Sequence, residues 1–592
     1  MPEKHTQYQE RLARLRGEVK KQGLSGFILP RTDEFQGEFL APYAERLAWL
    51  SGFTGSAGAA AVLLEKACIF SDGRYTIQLK NEVDLTLYNT EDIVKTSVGD
   101  WLATHAETGE KIGYDDWLYT PKQIEVIEEK LEGTGVTLVA LDSNPIDKLW
   151  QDQPEKPKMP VTIFPDEIAG LNSQEKRMAI ADKLVLEGYD ACLFTMGDSI
   201  CWLLNVRGTD ISYSPLMLSY ALLYANGSLD WFIDGTQVSK DVSKKLGDDV
   251  RVRSFKEMEE TVQSFKGQLC LDRSSCPLWF EKAFKAAGVT IIDTEDPCVV
   301  PKSQKTPAEQ KAIFEAHIHD GVAIVKFLKW LDGQSNDGGL DELGVEEKLE
   351  KFRRENSAYL GPSFSTIAGF NANGAIVHYR ATEISNEPLM GDGLLLLDSG
   401  GQYEWGTTDI TRTMAIGQPS QEMKENYTRV LQGHIALAAA EFKEGTVGKD
   451  VDALARKPLQ EIGLDYAHGT GHGVGCYLCV HEIAANISTR GERAFEEGML
   501  ISNEPGYYKE GEYGIRIENL VLVREDEERD QLFFETVTRA PLDPKLIEIS
   551  MLNVDEKAWI ETYSRQVYED LSPYLNDAEK SWLRQVTIDI NL

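Results

Sequence analysis

The sequence predicts an α/β protein in which two copies of one domain precede a third domain of helices and β hairpins. A chain of 592 residues is too long for one hydrophobic core, so several domains are expected. The prediction rests on a pattern that occurs twice in the first half of the chain. It also rests on two segments that are typical of domain boundaries.

The repeated pattern consists of a helix that ends at a glycine, a short apolar strand, a Trp-Leu pair and a strand ending in Asp-Gly. Residues 12–29 and 177–194 contain the helix and first strand, with the stops at Gly23 and Gly188. The same landmarks in the same order indicate a duplicated domain of helices on a mixed sheet. The later landmarks are Trp49-Leu50 and Asp72-Gly73 in one copy, and Trp202-Leu203 and Asp234-Gly235 in the other.

Two segments predict the boundaries. Residues 151–165 contain four prolines and are typical of a linker. Thr306, Pro307 and Glu309 supply an N-cap, a first-turn proline and a capping-box acid, so a long helix should begin there. We therefore predict domains at residues 1–152, 153–304 and 305–540. A C-terminal extension, residues 541–592, is rich in Trp and Tyr and should pack on the third domain or form a dimer interface.

Composition excludes several classes of function. A net charge of −35 disfavours a nucleic-acid partner, which needs a basic face. The charged amino-terminal stretch contains no apolar signal region, and no apolar run is long enough to span a membrane. Eight cysteines in a chain of this length do not form a disulfide framework, and Cys476 and Cys479 are interpreted as reduced packing residues. A cytoplasmic protein is expected.

The residues that predict chemistry lie in the third domain. Asp398 ends the apolar strand 394–397, and the chain returns through a turn into a strand that holds Asp409. Such a hairpin brings two carboxylates side by side, where they would repel each other and lose hydration. Bound cations would remove that conflict.

Three further residues complete the candidate metal site. His472 lies in the glycine-rich segment 469–475, Glu504 follows an apolar strand and precedes Pro505-Gly506, and Glu518 lies on the predicted strand 514–523. Four carboxylates and one neutral histidine match two divalent cations in formal charge, and this ligand set suits Mn²⁺, with Co²⁺, Zn²⁺ or Fe²⁺ as substitutes. Taken singly, each acid is more often a solvated or turn residue. His317 and His319, at i and i+2 of a helix, point apart and form no metal pair.

Several segments resemble the pita-bread metallopeptidase family, which includes methionine aminopeptidases, prolidases and aminopeptidase P. They are IVHYRAT (376–382), LLLDSGGQYEWGTTDITRT (395–413), HGTGHGVG (468–475), HE (481–482), NEPGYY (503–508) and GIRIENL (514–520). The resemblance implies a pita-bread α+β catalytic domain with two Mn²⁺ ions. Asp409 and Glu518 would bridge the ions, Asp398 would complete one, and His472 with Glu504 the other.

Within that family the chain is most similar to the long, three-domain cytosolic form of aminopeptidase P. EFLAPYAERLAWLSGFTGSAG (38–58), SDGRY (71–75) and WLLNVRGTDISYSP (202–215) are similar to its two creatinase-type α/β N-terminal domains. Methionine aminopeptidase has no such domains, and ordinary prolidase has one. The resemblance further implies a homodimer supported by the C-terminal extension.

The expected reaction is hydrolysis of the N-terminal Xaa-Pro bond of peptides with proline at the second position. A water bridging two cations would be available as hydroxide near neutral pH and would attack the carbonyl before proline. Three residues are predicted to be catalytic: Glu504, which would take the proton, with His378 and His481, which would hydrogen-bond the reacting groups. The residues predicted to bind substrate are Arg74, His378, His468, His472, His481 and Arg516, the last also supporting Glu518.

Two alternatives stay open at this point. Relatives of the fold that have lost their ligands serve as binding modules, including histone chaperones. Creatinase is a metal-free hydrolase on the same fold. The five intact ligand positions, the four histidines between His378 and His481 and the absence of an acidic low-complexity tail disfavour a binding module. The complete set of carboxylates disfavours a creatinase-like enzyme.

Overall fold

The structure, a computed structural model, describes residues 2–590, with side chains described from residue 6 onward except at 76 and 77. These residues form two compact units. One unit comprises residues up to 164 together with 171–298, and the other comprises 165–170 together with residues from 299 onward. In the part of the chain that the structure describes, no helix has both the length and the apolar character needed to cross a bilayer.

The first unit opens with a six-stranded mixed sheet in the order β4-β3-β2-β1-β5-β6. Strand β1 lies at its centre, antiparallel to β2 and parallel to β5. The strands are β1 (Gly26–Pro30), β2 (Ala59–Leu63), β3 (Ala67–Ser71), β4 (Asn89–Asp92), β5 (Lys111–Tyr114) and β6 (Thr137–Ala140). The helices are α1 (Pro2–Lys21), α2 (Arg46–Ser51), α3 (Thr76–Glu82), α4 (Val98–His105), α5 (Pro121–Leu131) and α6 (Pro145–Leu149).

A second six-stranded sheet follows in the order β12-β11-β10-β8-β13-β14, while β7 and β9 form a separate pair. The strands are β7 (Thr162–Ile163), β8 (Ala191–Phe194), β9 (Val206–Arg207), β10 (Tyr220–Tyr224), β11 (Leu229–Phe232), β12 (Val250–Arg253), β13 (Gln268–Leu271) and β14 (Thr290–Asp293). The helices are α7 (Asp166–Ala169), α8 (Ser173–Glu187), α9 (Gly197–Leu204), α10 (Lys240–Leu246), α11 (Met258–Ser264) and α12 (Leu278–Ala286).

The two sheets confirm the predicted duplication. Strand for strand they have the same order, and the central strand of each is antiparallel to one neighbour and parallel to the other. The repeated helix stop has a direct physical cause, because Gly23 and Gly188 adopt left-handed backbone with φ of 73° and 80°. Glycine enters that region without a side-chain clash, so a helix can end and turn into a strand within a few residues.

The second unit contains most of the remaining strands, in several small sheets and one six-stranded sheet of order β23-β30-β29-β26-β24-β25. The first group is β15 (Asp337–Asp341), β16 (Tyr359–Pro362), β17 (Ile367–Phe370), β18 (Pro388–Met390), β19 (Gly393–Ser399), β20 (Gly401–Tyr403), β21 (Gly406–Thr407) and β22 (Ile410–Ile416). The second group is β23 (Glu441–Phe442), β24 (Gly471–Gly473), β25 (Glu482–Ile487), β26 (Leu500–Asn503), β27 (Gly506–Lys509), β28 (Tyr513–Arg516), β29 (Asn519–Asp526) and β30 (Gln531–Thr536).

The helices of this unit include the long helix that the capping residues predicted. Thr306 caps it with a complete capping box to Glu309, which confirms the predicted start. The buried side of this helix includes Ala312, Ala316, Ala323, Ile324 and Val325, whereas Phe314, Ile318 and Val322 are half-buried. The helices are α13 (Val299–Ser303), α14 (Pro307–Asp332), α15 (Glu342–Arg353), α16 (Gln421–Ala438), α17 (Gly448–Gln460), α18 (Val554–Leu571) and α19 (Asp577–Thr587).

Aromatic residues near the C-terminus pack within the chain. Tyr563 of α18 is 4% exposed, and its hydroxyl accepts from Arg412 Nη2 at 2.9 Å and donates to the carbonyl of Ala540 at 2.8 Å. Arg412 Nη1 also donates to the carbonyl of Glu518 at 2.7 Å. Trp559 stacks on Tyr563, with ring centroids 5.1 Å apart. The helix α18 therefore contacts the polar network that supports the strand after Glu518.

We predict that Tyr563→Phe lowers the free energy of unfolding by about 1–2 kcal/mol, because a buried hydroxyl that bonds a guanidinium and a carbonyl is lost. Urea unfolding at fixed pH measures the change. The matched control is Tyr568→Phe on the same helix, where a half-buried hydroxyl should matter by about 0.5 kcal/mol or less. Equal effects of the two substitutions would contradict the importance of this network.

Candidate metal centre

Asp398 and Asp409 lie at one end of a three-stranded antiparallel sheet formed by β17, β19 and β22. Asp398 is on β19 and pairs in register with Thr411 of β22, while Asp409 comes immediately before β22 instead of within a strand. Both residues are buried, at 9% and 4% exposure. Asp398 Oδ2 accepts from Arg516 Nη2 at 2.6 Å, whereas Asp398 Oδ1 is buried with no protein partner among the described residues.

Glu504 and Glu518 lie at matching breaks where the chain passes between sheets. Strand β26 ends at Asn503 and β27 begins at Gly506; β28 ends at Arg516 and β29 begins at Asn519. The predicted continuous strand 514–523 is thus wrong, because β28 pairs with β27 whereas β29 pairs with β26 and β30. The break places Glu518 opposite the break that holds Glu504.

His472 completes the group from β24. Its Nε2 lies 3.5 Å from Asp409 Oδ2 and 3.6 Å from Glu504 Oε1. Its Nδ1 lies 3.0 Å from the carbonyl of Gly473, which fixes the ring orientation. A Cβ on the preceding Gly471 would stand 1.9 Å from the carbonyl of Ser502, so only glycine allows this close approach of backbone strands.

The electrostatics of the group are unfavourable for the bare carboxylates. Burial, followed by the charges of Glu518 and Asp398, raises the pKa of Asp409 well above its usual range. Burial raises the pKa of Glu504 to about 8; Asp409 and Asp398 add to the rise and Arg516 opposes it. Burial and the charges of Glu504 and Asp398 likewise raise the pKa of Glu518. The carboxylates require protons or cations to stay together.

The residues present fit divalent metal ions. One ligand atom each from Asp409, His472 and Glu518 lies within 4.8 Å of the others. Asp398 Oδ1, which has no hydrogen-bond partner among the described residues, is a further available carboxylate oxygen. Carboxylate oxygens with a single imidazole are a donor set suited to first-row divalent ions. The geometry brings the five sequence-predicted ligand positions into one region of the second unit.

Two other predicted histidines lie close to this group. The ring of His481 contacts that of His472 edge to face, with centroids 4.4 Å apart. His468 Nε2 lies 2.8 Å from the hydroxyl of Tyr508. His378 is half-buried in the segment between β17 and β18, next to the buried Tyr379.

The structure refines the role predicted for Arg516. Its guanidinium pairs directly with Asp398, while its Nε donates to Thr411 Oγ1 at 3.1 Å. Thr411 Oγ1 in turn donates to Glu518 Oε2 at 2.8 Å, so the support for Glu518 passes through this hydroxyl and through the charge of Arg516. Sequence reasoning missed both Thr411 and Tyr508. Tyr508 was within the quoted NEPGYY segment, but nothing in that pattern shows that its hydroxyl joins Arg516 to His468.

The remaining predictions concern residues that are not members of the group. Arg74, in the first unit, forms a two-point ion pair with Asp72 of its own turn, and no contact tests its predicted substrate role. Among the described residues no cysteine forms a disulfide, and Cys476 Sγ donates to the carbonyl of Trp405, which supports the interpretation of the C-x-x-C pair as packing residues. His317 is buried against its own helix, whereas His319 lies beside Trp405, so they form no metal pair.

The fold and this group of carboxylates and histidines define a metallopeptidase of the pita-bread class. Sequence profiles of known families match most of the chain. Residues 311–525 match metallopeptidase family M24, and residues 530–590 match the C-terminal region of that peptidase family. Two separate segments, 11–149 and 152–309, match the creatinase/prolidase N-terminal domain.

Relatives that align with nearly the whole chain show to which group of metallopeptidases it is similar. The chain is 36% identical over 611 residues to a probable Xaa-Pro aminopeptidase P of Paracoccidioides brasiliensis, covering 98% of each chain. It is 34% identical to human Xaa-Pro aminopeptidase 2, covering 97% of this chain and 88% of that protein. The crystal structure of an X-prolyl aminopeptidase from Caenorhabditis elegans, described as a cytosolic enzyme with a di-nuclear active site, aligns with a TM-score of 0.93 at 30% identity. That alignment covers 98% of this chain and 99% of the other. The chain belongs to metallopeptidase family M24, among its Xaa-Pro aminopeptidases.

We predict that the free energy of unfolding of the chelated protein falls as pH rises from about 5 to about 8. Glu504, with a folded-state pKa of about 8 against an ordinary value of 4.5, binds more protons folded than unfolded in this window. Its contribution is therefore full at low pH and lost as pH rises through the folded pKa, and Asp409 and Glu518 act in the same direction.

Urea unfolding of chelated protein at several pH values measures this trend. The control is Glu504→Gln, which removes one titrating group and should flatten the fall. Histidines buried as neutral rings, such as His434, oppose the trend in both proteins, so the difference between them isolates Glu504. A steeper fall in Glu504→Gln than in the wild type would refute the predicted linkage.

Proposed function

We propose that this protein is a metal-dependent aminopeptidase that hydrolyses the N-terminal Xaa-Pro bond and releases the residue before proline. The observation that carries the proposal is the convergence of Asp398, Asp409, His472, Glu504 and Glu518 on one buried region in a chain that matches Xaa-Pro aminopeptidases over nearly its full length. The substrates are peptides with proline at the second position.

Two divalent ions, Mn²⁺ in our proposal, would be held by those five residues. Co²⁺ or Zn²⁺ would be possible substitutes. When bound, such ions lower the pKa of water and polarise a carbonyl. Two observations support this assignment. The carboxylates carry like charges, and Asp398 Oδ1 has no partner among the described residues; bound cations would offset the charges and contact that oxygen.

The chain's own residues would do the remaining work. Glu504 would hold a proton at Oε1, which lies 3.6 Å from His472 Nε2. His481 and His378 would donate to the carbonyl oxygen and to the proline side of the bond as negative charge develops. His468, His472 and Arg516 would line the substrate pocket, with Tyr508 joining His468 to Arg516. Arg74 is proposed to contact substrate, in its own subunit or in a neighbouring one.

The bond before proline sets a particular chemical problem. It is a tertiary amide without an N–H, so contacts that aminopeptidases make to that donor are not available. The site must recognise the ring, accept the trans isomer and supply a proton to a hindered nitrogen as it leaves. Neutral or protonated imidazoles can perform these steps, and His378 and His481 are the proposed groups.

Several wider properties are proposed with this function. The domains are taken to extend over 1–152, 153–304 and 305–540, with an extension from 541. A cytoplasmic location is proposed; the lack of disulfides among the described residues and the description of the nematode enzyme as cytosolic support it. Neither nucleic acid nor a membrane is proposed as a partner, given the charge of −35.

The test is a peptide assay with and without metal. Arg-Pro-Pro should lose its arginine when Mn²⁺ is present, and chelation should stop the reaction until Mn²⁺ is restored. Asp409→Ala and Glu504→Ala should each lower kcat/KM by about a thousandfold or more, because each removes a metal ligand. Liquid chromatography with mass detection identifies the released residue, and elemental analysis measures the bound metal.

Control peptides distinguish this activity from related peptidase activities. Arg-Ala-Ala and N-acetylated Arg-Pro-Pro should survive, since one lacks the proline and the other lacks the free amine. Strong preference for a Gly-Pro dipeptide over every tripeptide would indicate a prolidase instead. Full activity of a chelated protein that contains no detectable metal would overturn the proposal.

We also propose a homodimer, by the resemblance to long-form enzymes of this family. The aromatic residues that suggested an interface do not demand one, because Tyr563 is buried within the chain and Trp582 donates to Asp332 at 3.2 Å. Light scattering at micromolar concentration should give about twice the chain mass of 66.2 kDa. A monomer at that concentration would refute the dimer and leave the proposed activity untouched.

A further inference from the structure

Glu482 lies beside the metal centre but has no part in the mechanism proposed above. It follows His481 directly in the chain, and it pairs in register with Gly473, the residue after His472. The rings of His472 and His481 are in edge-to-face contact. The backbone position of Glu482 is therefore coupled to both imidazoles.

The side chain of Glu482 lies in a buried ionic cluster with two lysines. Lys302 Nζ lies 3.2 Å from Glu482 Oε1, and Lys305 Nζ lies 2.7 Å from Glu482 Oε2. All three side chains are 1–2% exposed. Lys305 Nζ also donates to the carbonyls of Lys302 and Ser303, each at 3.2 Å. We call Lys302, Lys305 and Glu482 the lysine–glutamate cluster.

Stability alone does not account for this cluster. Moving an ion out of water costs several kcal/mol even after the protein relaxes, and well-packed apolar side chains of similar volume are often equally or more stable. An ionic group in such a place has a property that apolar packing lacks: it fixes direction and distance through hydrogen bonds. That property is useful where a neighbouring side chain must be held accurately.

The backbone next to these lysines is hydrogen-bonded to the segment that leads to Glu504. Lys305 N donates to the carbonyl of Gly498 at 2.9 Å, and Gln304 forms a β-bridge with Met499. Strand β26 starts directly after Met499 and ends at Asn503, immediately before Glu504. The segment 299–305 therefore connects the strand of Glu504 with the strand that starts after His481.

We propose that Lys305 and Lys302 are positioning residues that act through Glu482 to hold His481 in place relative to His472 and Glu504. The inference rests on the proposed function, because the catalytic use of His481 is part of that function. The lysines are not among the residues proposed to bind substrate or metal. Their effect on the reaction passes entirely through the strand that carries Glu482.

The experiment compares Lys305→Met with a control, Lys351→Met, in the full-length, Mn²⁺-loaded protein. Lys351 pairs with Glu347 on the surface, with 63% and 69% of the side chains exposed. Lys305→Met should lower kcat for Arg-Pro-Pro by about tenfold or more while KM and the bound metal change by less than about twofold. Lys351→Met should behave as the wild type. Parallel loss of metal and activity in Lys305→Met would overturn the proposal.

A double-mutant comparison separates positioning from general damage. In a His481→Ala background, where His481 is no longer present to be positioned, Lys305→Met should lower the residual rate by less than about twofold. A reduction as large as in the wild-type background would show that the lysine acts elsewhere and would refute the proposal. If Lys305→Met does not fold, Lys302→Met, which leaves the shorter ion pair intact, takes its place in the same comparison.

Spectroscopy of the imidazoles keeps this inference separate from the proposed function. In protein labelled with ¹³C at histidine Cε1, the His481 signal is identified by its loss in His481→Ala. Lys305→Met should shift or broaden that signal and leave that of His317 unchanged. An unshifted His481 signal would overturn the positioning role. Failure of the wild type to cleave any Xaa-Pro peptide would instead overturn the proposed function, with the spectra still deciding the role of the lysines.

Discussion

Mutual repulsion of buried carboxylates is the constraint on which the catalytic half of this molecule depends. Asp398, Asp409 and Glu518 are buried and Glu504 is half-buried beside them, so their charges are poorly screened and hydration is lost. Such a group persists only if the surrounding backbone is rigid and if cations or protons offset the charge. The structure meets the first condition with paired strands on both sides of the group. The proposed metal ions meet the second.

The rigidity comes from polar side chains that bind backbone as well as from strands. Arg412 donates to the carbonyl of Glu518 and to the hydroxyl of Tyr563, so helix α18 is tied to the break between β28 and β29 that holds Glu518. Lys305 likewise links strand β25, which begins after His481, to Gly498, which lies just before the strand that leads to Glu504. In both places a buried cationic side chain donates hydrogen bonds to carbonyls or to a carboxylate. Such pairing is needed because an unpaired charge is costly in low-dielectric surroundings. The site is held by charges as much as by apolar packing.

Much of the fold followed from local sequence. The helix stops at Gly23 and Gly188, and the capping box at Thr306 and Glu309, depend on backbone freedom and on side chains within a few residues, so a single sequence displays them. The duplication was visible because such local signals recur in order. The break between β28 and β29 was not visible, because 514–523 is mostly apolar on both sides of Glu518 and the change of strand partner is a long-range event.

The sequence by itself determined the family, the two-copy amino-terminal architecture and the residues proposed to bind metal, since these follow from motifs whose residue types and order are specific. Tertiary structure alone decided which groups touch. Arg516 pairs with Asp398, Tyr508 joins Arg516 to His468, and Glu482 meets lysines 177 and 180 positions away. Most of these contacts join residues that are far apart in the chain. The distances between the contacting atoms depend on how the strands pair. A linear pattern records the residues but not the folded backbone that brings them together.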